Sequence, residues 1–71
     1  MTNVDTEKLL EVARRIREMR EIVGLTVEEM AEKTEVTIDD YLKYEAGQLD
    51  FPFTFIHKCS LAFGIGITDL L

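Results

Sequence analysis

Residues Thr26–Gly47 read TVEEMAEKTEVTIDDYLKYEAG, and this stretch decides the fold. Thr26 is a natural helix N-cap, and Glu29 three residues on completes a capping box, in which the two side chains satisfy each other's free backbone N–H groups. Val27, Met30 and Ala31 follow at helical spacing and predict an apolar stripe, so a helix is expected over about 27–33. Thr34–Glu35–Val36 has no helical stripe of its own. Thr37 is a second N-cap, and a second helix is expected over about 38–45, with Tyr41 and either Tyr44 or Leu42 turned inward. Gly47 lies just beyond Glu45–Ala46, where a left-handed glycine ends a helix.

Two short capped helices joined by about four residues fit a helix-turn-helix, a motif that makes DNA binding the leading expectation. The charge balance pulls the other way. The 71 residues carry a net charge of −6, the wrong sign for a protein that gains affinity by neutralising phosphates. The deficit is local. Residues 6–24 hold five cations against four anions, whereas residues 26–50 hold only Lys33 and Lys43 against eight carboxylates. The expected reading element is therefore the acidic part of the chain.

Working outward, Asp5 or Thr6 can cap a first helix running to about Val23, after a frayed start over residues 1–5. Leu9, Val12 or Ala13, Ile16, Met19 and Val23 recur at spacings of three and four and form its inward stripe. Gly24 is placed to stop it. On the other side, Asp50 can cap a helix that has Pro52 in its first turn, where a missing N–H costs nothing, and that runs to Phe63 before Gly64. Ile56, Cys59, Ser60 and Phe63 make a sufficient inward face. That leaves Phe55 and Leu61 over, as apolar surface for a partner. Thr68 can cap a last turn over Asp69–Leu71.

At this size one core is marginal unless it is nearly all helix and well packed. A single cysteine, Cys59, excludes an internal disulfide and fits a reducing, cytoplasmic setting. No apolar run is long enough to span a membrane, and the N-terminus has no basic lead into an apolar segment. His57 and Cys59, two apart, face different sides of a helix and form no chelating pair. One histidine, no glycine-rich phosphate loop and no room for a deep pocket argue against an enzyme. No cofactor and no metal site are expected.

The ordered combination IREMREIVGLTVEEMAEKTEV from Ile16, then Tyr41–Lys43–Tyr44–Glu45, Gly47, Pro52, Ala62–Phe63–Gly64–Ile65 and Asp69–Leu70–Leu71, resembles the lambda-repressor-like, Cro/C1-type (XRE family) helix-turn-helix domain. The resemblance covers about four-fifths of the chain. It implies an all-α, compact five-helix bundle whose third helix reads DNA, in a cytoplasmic transcription regulator. DFPFTF after Gly47 and the TIDDYLKYE form of helix 3 look like a subgroup that carries a C-terminal cupin barrel. The resemblance also implies a partly buried ion pair between Arg20 and Glu45. It implies a homodimer through the helix 4–5 side or through a following domain.

The candidate DNA-binding residues are Arg17, Thr26, Thr37, Ile38, Asp39, Asp40, Lys43 and Gln48, and all but Ile38 and Lys43 have a plainer reading. Helix 3 would turn Thr37, Ile38, Asp39, Asp40 and Lys43 toward a major groove, where carboxylates are limited mainly to accepting from cytosine N4. Alternatively, Asp39 and Asp40 only cap the helix and favour its positive end. Family members often carry a glutamine just after the helix-2 cap; here that position is Val27, which cannot hydrogen-bond. Arg14, Arg15 and Arg17 suit phosphate contacts or, equally, a solvated face. Thr26 and Thr37 are caps first, at helix ends whose N–H groups can also meet phosphate. Gln48 either donates to phosphate or is a turn residue. The rival function is an acidic protein-interaction module on the same fold.

Overall fold

The computed structural model describes residues 4–71, with side chains from Thr6 onward. Four α-helices, α1 (Val4–Val23), α2 (Val27–Thr34), α3 (Ile38–Glu45) and α4 (Phe53–Phe63), are followed by a single 3-10 turn at Ile67–Asp69. The fifth helix expected from the resemblance is thus only this turn. Gly66, not Thr68, precedes it, and the Asp69 carboxylate accepts from the Gly66 N–H at 3.2 Å. Its work is done by Leu70, which is fully buried on the core.

The helix ends follow from local chemistry. Thr26 Oγ1 accepts from Glu29 N at 3.0 Å while Glu29 Oε1 accepts from Thr26 N at 2.8 Å, which is the reciprocal capping box. Thr37 Oγ1 accepts from Asp40 N at 3.1 Å. Gly24 and Gly47, at φ +88° and +74°, close α1 and α3. At the second, Gln48 N donates to Lys43 O and Gly47 N to Tyr44 O, the paired bonds of a Schellman turn. Two expectations fail. Asp50 does not cap α4, because Pro52 itself is the N-cap residue with extended backbone, and its carbonyl accepts from Phe55 N and Ile56 N. Asp5 and Thr6 lie inside α1, which is already helical at Val4. The rest of the expected frayed start, residues 1–3, lies outside the described residues.

α1 packs on α3 and α4, and α2 packs on the same two helices, so all four surround one core. That core is Val12, Ile16, Met30, Ala31, Tyr41, Phe55, Ile56, Cys59, Phe63 and Leu70, with Met19, Tyr44 and Ile65 half-buried against it. Val12 and Ala13 are both buried, and Val23 is turned out to solvent. Phe55 corrects the sequence reading: it is 3% exposed, not surplus. It stacks on Tyr44 with ring centroids 4.2 Å apart, on Phe51 at 5.6 Å, and meets Tyr41 at 6.1 Å. The inward arc of α4 is therefore wider than the spacing of Ile56, Cys59, Ser60 and Phe63 suggests, because the α3–α4 connection folds Phe51 back to wall it. Burial pushes the Cys59 thiol up to about 12, with the nearby Glu45 carboxylate adding to the effect, so Cys59 is an inert core residue.

The turn between α2 and α3 has one feature that no motif signalled. Glu35 sits in the left-handed region at φ +62°, as the only described non-glycine residue to do so. It completes a Schellman arrangement in which Val36 N donates to Ala31 O. A side chain there is strained, and glycine is the usual occupant. Glu35 gains a hydrogen-bonded ion pair with Lys58 of α4, which holds its carboxyl below the ordinary range. Both groups are well exposed, and such pairs contribute little. Glu35→Gly is therefore expected to raise the melting temperature by roughly 4 °C through relief of backbone strain. An unchanged or lower value in a calorimetric scan would show that the ion pair outweighs the strain.

Candidate nucleic-acid interface

Arg20 is the joint of the site. Its Nε and Nη2 reach Glu45 Oε2 and Oε1 at 3.0 and 3.2 Å, a two-pronged pair with side chains only 15% and 9% exposed. Nη1 donates to the carbonyl of Leu25 at 3.0 Å. Tyr41 Oη donates to Glu45 Oε2 at 2.5 Å. One guanidinium thus ties the end of α1 to the residue before the α2 cap and to the last turn of α3. Glu45 raises the Arg20 pKa through this hydrogen bond, against the opposing effect of burial. Burial, and then Glu45, push the Tyr41 phenol above its ordinary range. The pair expected from the resemblance is present. The Tyr41 hydroxyl and the Leu25 carbonyl were missed, although the four-residue spacing of Tyr41 and Glu45 places them on one helix face.

With Tyr41 fully buried and Glu45 half-buried, the orientation of α3 is set. Asp39 and Lys43 lie two residues to either side of Tyr41, on the opposite and most outward line of the helix. Ile38 and Leu42, 44% and 47% exposed, form the adjacent line, and Ala46 extends both. Asp40 is exposed at the flank. Leu42 and Ala46 were not among the candidates; their distance from Tyr41 in the helical repeat was the available signal. Asp39 and Asp40 lie in the first turn, where negative charge favours the helix dipole. The side chain that bonds to the open backbone there is that of Thr37.

The remaining candidates gather around α3 through the joint. Thr26 is exposed beside Leu25, at the α2 N-terminus. Gln48 is exposed just past Gly47, where Leu10 of α1 closes in: a Cβ on Gly47 would lie 2.5 Å from Leu10 Cδ2. Arg17 is exposed one turn before Arg20, and Leu10, Arg14 and Arg17 fall on one side of α1. That side adjoins the end of α3. Arg15 donates to Glu11 at 3.0 Å and to the Leu71 carbonyl at 2.5 Å. Among the described residues the ion pairs are Lys8–Glu11, Arg15–Glu11, Arg20–Glu45 and Lys58–Glu35, so Arg14, Arg17, Asp39 and Lys43 hold their charges unpaired. Among the same residues, no three His, Cys, Asp or Glu side chains come together as a metal-ligand set, and no helix is long and apolar enough to cross a membrane.

Two capped helices, a three-residue turn and an outward second helix held by a buried ion pair define a helix-turn-helix domain, the class that places its second helix in the major groove of DNA. A family model described as a helix-turn-helix domain matches residues 13–71, and the chain belongs to that family. Among solved structures, the clp gene regulator ClgR of Corynebacterium glutamicum matches with a TM-score of 0.85 at 21% identity, over 89% of this chain and 67% of that one. At that identity the match supports the fold. Comparison with curated proteins finds no match.

Proposed function

We propose that the chain is the sequence-specific DNA-binding domain of a cytoplasmic transcription regulator. The observation that carries this reading is the Arg20 joint, which fixes α2 and α3 as one rigid unit with the outer face of α3 free. In this reading α3 enters the major groove. The α2 N-terminus at Thr26, the Thr37 end of α3, Arg17 and Gln48 meet the flanking phosphates, since backbone N–H groups and cations position such domains on the duplex. Binding to a pool of random duplexes should weaken with salt at a slope near −0.9 per phosphate contacted, and Arg17→Ala should lower that slope by about one contact. No binding at low salt would overturn the proposal.

In that case the second reading takes over: an acidic docking module. It is favoured by the exposed Asp39 and Asp40 beside the exposed Ile38 and Leu42, in a stretch, residues 26–50, that holds eight carboxylates against two lysines.

Two-fold pairing would double the DNA site. With Phe55 withdrawn into the core, the exposed apolar line on α4 is Phe53 and Leu61, 69% and 66% exposed, with His57 stacked on Phe53 between them. Two copies pair through this line or through a following domain. Leu61→Glu is expected to shift sedimentation equilibrium toward monomer. A clean monomer for the unaltered chain at high concentration would exclude pairing by this domain.

A further inference from the structure

The outer face of α3 carries a restricted set of chemical groups, and that set limits which bases it can read. Its most outward line holds one acceptor-only group, the Asp39 carboxylate, and one donor-only group, the Lys43 ammonium, neither in an ion pair among the described residues. The line beside it is aliphatic, Ile38 and Leu42. No arginine, asparagine or glutamine lies on α3, so the bidentate adenine contact is unavailable there. Gln48 is beyond the helix, in the Schellman turn.

We propose that α3 selects a half-site with a cytosine and a guanine about two base-pair steps apart, beside a thymine. The inference rests on the groove-docking reading above. Asp39 accepts from a cytosine N4 amino group, the base-edge donor that carboxylates are seen to match. Lys43 donates to guanine O6 and N7. The spacing follows from helix geometry: four residues advance about 6 Å along α3, and base pairs stack at about 3.4 Å. Ile38 and Leu42 supply the apolar surface that meets a thymine methyl group. Asp39 is thus a negative selector as well. A guanine or thymine at its position presents oxygen acceptors to a carboxylate, which repels them. This accounts for a carboxylate on a face where it weakens overall affinity: it exchanges strength for discrimination.

The test is selection from a random duplex pool by the unaltered chain, by Asp39→Asn and by Lys43→Gln. The unaltered chain is expected to enrich cytosine and guanine two steps apart, each substituted base pair weakening binding by roughly 5- to 100-fold. Asp39→Asn should change the cytosine position to adenine, leave the guanine position alone and tighten binding overall. Lys43→Gln should relax the guanine position only. Enrichment of an unrelated motif, or an Asp39→Asn motif identical to the original, overturns this inference while leaving DNA binding intact. Absence of any salt-sensitive binding overturns both. Neither substitution removes a group that holds the fold, and matching far-ultraviolet circular dichroism spectra would exclude misfolding as the cause of any change.

Discussion

Arg20→Ala is expected to destabilise the domain by about 3–5 kcal/mol, because it strands a carboxylate that has lost its partner in the interior. Glu45 is only 9% exposed and would keep a single donor, the Tyr41 hydroxyl. The Leu25 carbonyl would lose its donor as well. A 71-residue domain holds on the order of 4–10 kcal/mol in total, so the loss takes at least about a third of its stability. Urea denaturation followed by circular dichroism measures this. The triple variant Arg20→Met/Tyr41→Phe/Glu45→Leu separates the charges from the packing: it removes both charges and the buried hydroxyl that donates to Glu45, fills similar volume, and should recover most of the loss. If the single variant lost less than 1 kcal/mol, the pair would be solvated in practice and the joint would not be what sets α2 against α3.

Phe55→Ala is expected to cost about 3–5 kcal/mol, the range for deleting a buried phenylalanine side chain. The ring is 3% exposed and lies against Tyr44, Phe51 and Tyr41. Its removal opens a cavity where α3, α4 and their connection meet. Phe53→Ala is the control two residues away: at 69% exposure it should stay within about 0.5 kcal/mol. Equal losses in the two variants would mean that α4 is rotated relative to the described packing.

The sequence made the helix boundaries legible wherever a side chain or a glycine acts locally. Thr26 with Glu29, Thr37, Gly24, Gly47 and Gly64 each act on backbone within four residues, so adjacency in sequence suffices. Tyr41, Met30 and Ile16 were legible because helical spacing picks out one face. Phe55 was not, since its burial depends on Phe51 folding back from the connection, a contact without periodicity. Glu35 in the left-handed region was invisible because the usual marker of that conformation is glycine. The candidate site was legible as a set of α3 positions. Its arrangement was not, because it depends on a guanidinium reaching from α1 to a carbonyl and a carboxylate on two other segments. Asp50 shows the converse: its type suited a cap, but the chain placed Pro52 at the N-cap position of α4.

The division of labour within α3 also has a practical meaning for engineering. Tyr41, Tyr44 and Glu45 do the holding, while Ile38, Asp39, Asp40, Leu42 and Lys43 are exposed and make no side-chain hydrogen bond or ion pair among the described residues. Eight residues therefore split into three fixed and five exchangeable positions, provided Gly47 stays as it is, since its φ of +74° strains any side chain there. On the groove-docking proposal, those five positions are the ones to diversify in a single library, since changing them leaves the Tyr41, Tyr44 and Glu45 contacts in place.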